Sequence, residues 1–334
     1  MAIDLPMLWA AIIAFGIAIY VALDGFDLGI GILFPLFPER DQRDVMMNSV
    51  APVWDGNETW LVLGGAGLFG AFPLAYAVLL PALYLPLTVM VLALVFRGVA
   101  FEFRFKAQRS RAVWDWAFAG GSMVATFCQG IALGAFIQGV PVVDRAYAGG
   151  AWDWLTPFSL FTGAALLAGY AALGCGWLIL RTEGALQERF FRTMPLLGAL
   201  LLATIAGVSL WTPLMHAAIA DRWFAWPSLA YLSPVPILVA AIALLLWRAL
   251  RARSERLPFV LTLALFLLGY AGLAISLWPY AIPPAITIWQ AAAPPESQGF
   301  LIVGMAVLLP IILAYTAFNY WIFRGKVRIG QGYH

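Results

Sequence analysis

Long uninterrupted apolar segments are the feature of this sequence that most restricts its fold. The hydrocarbon core of a membrane is ~30 Å thick, and a helix needs ~20 apolar residues to cross it. Such segments recur about nine times along the chain. The predicted membrane-spanning helices cover residues 8–36, 53–74, 77–101, 116–138, 156–180, 194–213, 229–248, 258–278 and 300–323.

The composition agrees with lipid as the main solvent. Hydrophobic residues make up 63% of the 334 residues and charged residues only 11%, whereas soluble domains carry about 25% charged residues. A transmembrane β-barrel needs alternating apolar and polar residues, and a net charge of +2 gives no reason to expect nucleic-acid binding. We therefore predict an all-α integral membrane protein: one polytopic domain over residues 1–334, with about nine helices in a bundle.

Basic residues concentrate in alternate connections between the predicted spans. Of the 19 lysines and arginines, 16 follow the first, third, fifth, seventh or ninth span. Because short connections rich in Lys and Arg stay in the cytoplasm, we expect the N-terminus outside and the C-terminus in the cytoplasm. The first span lacks a preceding basic segment and is longer than a signal-peptide core, so we expect it to be retained.

The connections predicted on the outer side are rich in Trp, Tyr and Pro. They comprise residues 139–155, 212–228 and 279–298. An aromatic belt at the level of the lipid headgroups explains this composition. A docking surface for a partner or a hydrophobic ligand is the alternative.

Two acidic residues, Asp24 and Asp27, fall inside the first predicted span. Ionisable residues within a membrane are rare and are usually functional or paired. The i,i+3 spacing puts both on one helix face, and two neighbouring carboxylates in a low dielectric cannot both easily stay ionised. Such a pair is typical of a proton carrier. A structural pair satisfied by a cation or by backbone groups is the alternative.

Residues 54–60, Trp-Asp-Gly-Asn-Glu-Thr-Trp, form the densest polar stretch beside an apolar helix in this sequence. One acid in a first helical turn is favoured by the helix dipole, so Asp55 alone has a structural explanation. Glu58 follows on the same face, however, and Asn57 lies between them. We favour a functional polar site at the cytoplasmic mouth of the bundle, where Asp55, Glu58 and the two aspartates of the first span are candidates for proton transfer.

Arg97 lies inside the third predicted span and needs carboxylate or carbonyl partners, because a buried arginine keeps its proton. Glu102 is five positions on and ~140° round the helix, which makes it a poor direct partner. We predict a buried Arg–Asp network with the aspartates at similar depth, namely Asp24, Asp27 and Asp55. We assign Arg97, Asn57 and Glu102 to this charge network or to assembly. The alternative is that Arg97 extends its side chain to the cytoplasmic surface.

Histidine and cysteine are scarce, which argues against a metal or haem centre held by this chain. Haem iron most often takes an axial His, and the histidines are His216, in an outer connection, and the C-terminal His334. Cys128 and Cys175 sit in apolar stretches without metal-ligand spacing, so we expect buried core residues. No phosphate-binding glycine loop, HExxH motif or Ser/His/Asp set is recognisable. We expect no cofactor or metal ligated by this chain and no catalytic residue in it.

Several segments resemble subunit II of the cytochrome bd quinol oxidases. They are LDGFDLGIG at 23–31, NSVAPVWDGN at 48–57, FRGVAFE at 96–102, and the shorter segments 114–116 and 138–140. The resemblance is strong over residues 1–140 and rests on topology, length and composition beyond them. The sequence FRG replaces the FRP of some members, a difference compatible with the cyanide-insensitive branch.

The resemblance implies a nine-span protein in the bacterial cytoplasmic (inner) membrane, paired with a homologous subunit I. That partner would carry haem b and haem d (or b) and the quinol site, and a small single-span subunit could join them. The complex would oxidise quinol from the quinone pool and reduce O2 to water, with protons taken from the cytoplasm. This chain would support assembly and proton supply, and it could bind a quinone.

The resemblance also bears on individual residues. Asp24 and Asp55 match acidic positions of the family motifs, and Arg97 matches the motif arginine. Trp60 matches a tryptophan associated with an apolar route for gas. Two other functions fit the residues alone: a proton-coupled secondary transporter or channel, which buried acids and glycine-rich spans also suit, and a haem protein that uses His216.

Overall fold

The computed structural model describes residues 4–330, and most of them are helical; His334 lies outside this range. The α-helices are α1 (Leu5–Leu33), α2 (Arg40–Asn48), α3 (Trp54–Ala71), α4 (Pro73–Phe103), α5 (Arg111–Gln138), α6 (Pro157–Arg181), α7 (Gly184–Met215), α8 (Ala217–Phe224), α9 (Ser228–Leu232), α10 (Pro234–Arg251), α11 (Leu257–Leu277), α12 (Ile288–Ala291) and α13 (Pro295–Ile322). Two antiparallel hairpins pair β1 (Val142–Val143) with β2 (Ala146–Tyr147) and β3 (Tyr280–Ile282) with β4 (Ile286–Thr287).

The predicted all-α membrane fold is confirmed. Within residues 4–330, eight helices are long and apolar enough to cross a membrane: α1, α4, α5, α6, α7, α10 with the preceding α9, α11 and α13. The remaining predicted span, 53–74, corresponds to α3. Its 18 residues begin with the polar stretch around Asp55, which lowers its mean hydropathy. Counted by length and apolarity, the described residues give eight spans, so the predicted number of nine is approximate.

Helix α3 lies antiparallel to α1 and reaches the same depth. A Cβ added to Gly16 would come within 2.7 Å of Leu63, and one added to Gly67 within 3.0 Å of Ile13. At the start of α3, Asn57 lies beside Asp27. In these contacts the residue numbers increase along α1 while they decrease along α3, as they do in an antiparallel pair of helices. Packing against α1 therefore places α3 inside the bundle, which apolarity alone would not.

The centre of the bundle is built from α1, α4, α5 and α6. At the crossing of α1 and α6, a Cβ on Gly29 would lie 1.8 Å from the backbone oxygen of Tyr170, and one on Gly174 would lie 2.5 Å from the carbonyl carbon of Gly29. No other residue fits at either position. Small residues let helix backbones approach in this way in membranes, and the approach brings the glycine face of α1 against α6.

Helix α7 contains the predicted span 194–213 and extends ten residues before it. Helix α7 begins at Gly184, and its first ten residues carry Glu188, Arg189 and Arg192. Arg189 pairs with Glu39 at 2.9 Å. The segment is helical but polar, so the apolar pattern that predicts a span excludes it.

The bundle has one end rich in basic residues, which we call the basic end. It carries Arg43, Arg104, Arg189, Arg253 and the tail after α13. The tail crosses the turn between α6 and α7. The backbone N–H of Val327 donates to the carbonyl of Arg181 at 2.8 Å, Lys326 pairs with Glu255 at 2.9 Å, and Arg328 pairs with Glu183 at 2.8 Å. The tail therefore fixes α13 to the rest of the bundle at this end.

Helix α13 packs along the edge of the bundle, and many of its large apolar side chains are exposed, including Phe300, Val303, Val307, Ile311 and Phe318. At the end opposite the basic end, the indole of Trp9 donates to the backbone oxygen of Gln298 at 3.2 Å. An apolar surface of this kind suits lipid or the apolar surface of another membrane subunit.

Candidate functional site

A single buried guanidinium, that of Arg97 on α4, gathers three carboxylates from two other helices. Its Nη2 lies 2.6 Å from Oδ1 of Asp27 and 3.7 Å from Oδ1 of Asp24, both on α1. Its Nη1 lies 2.6 Å from Oε1 of Glu58 on α3. The side chains of Arg97, Asp24 and Asp27 are fully buried. We call these four residues the carboxylate cluster.

Local structure explains how the cluster forms. Asp24 and Asp27 are one helical turn apart, so both point from α1 toward α4. Helix α5 approaches α4 closely, because a Cβ on Gly121 would lie 2.6 Å from the backbone oxygen of Ala93 and 3.0 Å from Cβ of Arg97. The Phe101 ring lies 5.4 Å from the guanidinium carbon. Arg97 is therefore held among its acidic partners and does not extend to the surface.

Asn57 connects the cluster to the last helix. Its Nδ2 donates to Oδ2 of Asp27 and to the backbone oxygen of Leu23, both at 3.4 Å. Its Oδ1 accepts from the hydroxyl of Tyr320 on α13 at 2.8 Å. The structure thus brings Asn57 together with Arg97 and the aspartates of α1. Tyr320 is a member of this network that the sequence pattern did not single out.

Asp55 stands apart from Arg97. Its side chain is exposed in the first turn of α3, where the helix dipole favours a negative charge. Glu58, one turn deeper and with a side chain 24% exposed, occupies the position beside Arg97 that the sequence interpretation gave to Asp55. The carboxylates therefore differ in depth: Asp55 is at the surface, Glu58 is at the edge and the two aspartates of α1 are inside.

Glu102 does not belong to the buried network, and its assignment there is wrong. Its side chain is 59% exposed and lies 3.5 Å from Lys106. It follows Arg97 by five residues, which turns it ~140° away from the face that α4 presents to α1 and α3. The alternative for Arg97, extension to the surface, is also excluded by its complete burial.

Trp60 is fully buried beside Tyr20 and Leu63. The ring of Phe15 meets it edge to face, with 6.3 Å between ring centroids. This contact is apolar, but the indole nitrogen has no hydrogen-bond partner within residues 4–330. A route for gas beside Trp60 stays a prediction, since these contacts describe how the ring is packed and not a passage.

A second charge cluster lies at the basic end, where α2 docks against α4 and α5. Arg104 is fully buried and pairs with Asp44 at 2.7 Å and with Asp115. Arg43 pairs with Asp115 at 2.8 Å, and Arg111 pairs with Asp44. Here cations outnumber acids, and each acid bridges two of them. This arrangement fixes the loop after α1 and has no free carboxylate among the described residues to exchange a proton.

A haem group does not fit the residues that the structure describes. His216 is their one histidine, and its Nε2 lies 2.9 Å from the carbonyl oxygen of Ile137. Cys128 and Cys175 are buried, as predicted, and unpaired with one another. Residues 4–330 also hold no group of three or more His, Cys, Asp or Glu side chains arranged to bind a metal.

Comparisons with known proteins agree with one another. The family model described as cytochrome bd terminal oxidase subunit II matches residues 5–323. The chain is 30% identical to cytochrome bd-I ubiquinol oxidase subunit 2 of Escherichia coli, over 97% of this chain and 95% of the relative. It is 28% identical to cytochrome bd ubiquinol oxidase subunit 2 of Bacillus subtilis, with 96% of each covered. The bd oxidase structure from Geobacillus thermodenitrificans contains a chain with the same fold, at a TM-score of 0.70, 16% identity and coverage of 96% and 99%.

Proposed function

Because the chain belongs to the family of cytochrome bd terminal oxidase subunit II, we propose that it is the subunit that supports assembly and proton supply in an enzyme that oxidises quinol and reduces O2 to water. Its relatives are subunits of a ubiquinol oxidase by name, so it is a subunit of an oxidoreductase complex. In the proposal the partner, subunit I, holds haem b and haem d (or b) and the quinol site. A small single-span subunit and a quinone bound by this chain are compatible additions.

The observation that carries the proton-supply role is the graded depth of the carboxylates. Asp55 is exposed, Glu58 is partly exposed, and Asp27 and Asp24 are fully buried around Arg97. Three carboxylates surround one guanidinium, so full ionisation leaves excess negative charge in a low dielectric. A proton on one carboxyl relieves this repulsion. Such a cluster can accept protons at its outer edge and hold them inside.

The membrane orientation that we propose accounts for the position of this cluster. The concentration of lysine and arginine at the basic end supports a cytoplasmic location for that end in a bacterial inner membrane. The N-terminus is then outside and the C-terminus in the cytoplasm. Because reduction of O2 to water consumes protons, Asp55 and Glu58 would stand where protons enter from the cytoplasm.

The assembly role rests on the same buried charges. Removal of one member of a buried ion pair leaves an uncompensated charge, which costs about 3–5 kcal/mol. Arg97 links α4 to α1 and α3, and Asn57 links α3 to α13 through Tyr320. The cluster thus joins α1, α3 and α4, and Asn57 extends these contacts to α13, which presents an apolar surface suited to a second subunit.

The test is Asp55→Asn in the intact complex, purified from its own membrane and reconstituted in vesicles. We expect the haem spectrum and subunit yield of the wild type, while quinol-dependent O2 consumption and proton uptake fall by about tenfold or more, because a positioned proton-transfer group contributes at least this much. Glu58→Gln should act in the same direction. Glu102→Gln, an exposed carboxylate on α4, is the matched control and should change neither rate.

Wild-type turnover and proton uptake in both Asp55→Asn and Glu58→Gln would remove proton supply from the function of this chain. A chain that purifies alone and colourless from its native membrane, and that moves protons in vesicles, would instead support the transporter.

A further inference from the structure

Three polar side chains continue inward from the carboxylate cluster, and the proposed proton entry does not use them. The hydroxyl of Tyr170 on α6 donates to Oε1 of Gln129 on α5 at 3.1 Å. Nε2 of Gln129 donates in turn to the hydroxyl oxygen of Tyr20 on α1 at 2.6 Å. We call Tyr170, Gln129 and Tyr20 the donor chain. Gln129 gave no signal in the sequence beyond being an amide within an apolar span.

The packing of α1 and α6 holds the donor chain in place. Tyr20 and Tyr170 are almost completely buried. Gly25 admits the Tyr170 ring, since a Cβ at that position would lie 2.9 Å from Cε1 of the ring. The Phe266 ring on α11 packs on the other side, 5.5 Å between centroids. The hydroxyl of Tyr170 therefore has a fixed direction toward Gln129.

The hydrogen bonds of the donor chain all point the same way. A phenol has one proton to donate, and because Tyr20 accepts from Gln129, its own proton is free for a further acceptor. Asp24 follows Tyr20 by one helical turn on the same face of α1. Arg97 is 3.7 Å from Asp24, beyond hydrogen-bond distance, so the carboxylate has acceptor positions to fill. Among the described residues neither oxygen of Asp24 accepts a hydrogen bond, and the Tyr20 hydroxyl, one turn before it, is a donor with a proton to give.

The side-chain amide of Gln129 also prevents proton transfer along the donor chain. The amide of Gln129 accepts at its oxygen and donates at its nitrogen, so it does not hand a proton from one tyrosine to the other as a hydroxyl or a carboxylic acid can. A proton held by Asp24 therefore has no continuation through Gln129 to α6. The donor chain fixes a hydrogen bond without extending the proton route.

We infer that Gln129 is a positioning residue, which directs the hydroxyl proton of Tyr20 onto Asp24 and closes the side of the carboxylate cluster that faces α5 and α6. Protons taken up at Asp55 and Glu58 then do not leave the cluster through Gln129. This inference rests on the proposed function of the cluster in proton supply. Ionisable groups face this position from four helices: Tyr20, Asp24 and Asp27 from α1, Glu58 from α3, Arg97 from α4 and Tyr170 from α6.

The test compares Gln129→Leu with Gln129→Glu in the intact complex. The leucine variant removes both hydrogen bonds, and we expect about a tenfold lower turnover at every pH, since hydrogen bonds to charged groups are worth about this factor. A protonated glutamic acid accepts and donates as glutamine does, whereas an ionised one only accepts. The turnover of Gln129→Glu relative to wild type should therefore be highest at low pH and fall toward the leucine value as the pH rises and the glutamate loses its proton.

Tyr20→Phe should lose as much as Gln129→Leu, and the double variant should lose no more than either, because both remove the same hydrogen bond. Tyr270→Phe is the matched control. It removes another partly buried tyrosine hydroxyl, which donates to the backbone oxygen of Ala14 on α1 at 2.8 Å. The turnover of this variant relative to wild type should not change with pH. Haem content is measured in every variant to confirm assembly.

A flat ratio for Gln129→Glu, or wild-type turnover in both Gln129→Leu and Tyr20→Phe, would overturn the inference. If Asp55→Asn and Glu58→Gln lose turnover in the same experiments, only the inference about Gln129 fails and the proposed function stands. If Asp55→Asn and Glu58→Gln keep wild-type proton uptake, it is the proposed function that fails.

Discussion

Nη2 of Arg97 lies 2.6 Å from Oδ1 of Asp27, and neither side chain is exposed. The two residues are 70 positions apart in sequence, on α4 and α1. A fully buried ion pair is tolerated only where both charges are well partnered, and here Glu58 and Asn57 supply the further partners. This contact joins the acidic face of α1 to α4.

Arg97→Ala should destabilise the subunit, because three carboxylates then lose their common cation. We expect a loss of about 3–5 kcal/mol, read as a lower yield of assembled complex and a lower unfolding temperature in detergent. Asp24→Asn should cost less than Arg97→Ala, because Asp27 and Glu58 still balance the guanidinium. Arg192→Ala, which breaks the exposed pair with Glu188, is the control and should cost no more than about 1 kcal/mol. A normal yield from Arg97→Ala would contradict the role of the network in assembly.

The docking of the tail should depend on acid pH. The hydrogen bond from Lys326 lowers the pKa of Glu255 in the loop before α11, with a smaller contribution from Gln187. At a pH above about 4.3, the ordinary pKa of a glutamate, the ionised Glu255 side chain contributes fully to the docking of the tail. This contribution is lost as the pH falls through the lowered pKa of Glu255. Because the Glu255 side chain is 49% exposed, the effect should stay below about 1 kcal/mol.

Hydrogen exchange at the amide of Val327, which donates to Arg181, measures this docking. Protection at neutral pH should fall in Glu255→Gln relative to wild type, and the difference should shrink as pH falls below about 4. Arg328→Ala would separate the second contact of the tail, with Glu183. Equal protection of Val327 in wild type and Glu255→Gln at neutral pH would show that this contact does not hold the tail.

His216→Ala should leave the haem content of the complex unchanged. The imidazole is engaged by the carbonyl of Ile137 at the end of α5, so its removal should loosen the contact between α5 and the α7–α8 connection. One lost hydrogen bond of this kind costs about 1 kcal/mol, seen as a small fall in unfolding temperature. A reduced-minus-oxidised visible spectrum that loses a haem band in an otherwise assembled complex would favour a haem ligand at His216 instead.

Much of the fold follows from hydropathy. The predicted spans from 77–101 onward each correspond to a long helix, because ~20 apolar residues have few alternatives to a helix in lipid. The short helices α2 and α8 and the first turns of α7 lie outside the predicted spans, since they are held by contacts such as Arg104 with Asp44 and Arg222 with the backbone oxygen of Ile275 and not by an apolar pattern. Ion pairs between distant segments leave no periodic signal in a sequence.

The residues that need a partner in a membrane can be read from the sequence: Asp24, Asp27 and Arg97 stand out because each carries a charge among apolar neighbours. Their partners depend on how the helices pack. The register of α3 against α1 selected Glu58 over Asp55, the rotation of α4 turned Glu102 outward, and the close approach of α1 and α6 brought Tyr170, Gln129 and Tyr20 into line. Charge cost is a property of one residue in its solvent, whereas partnership depends on the angles and depths at which separate helices meet.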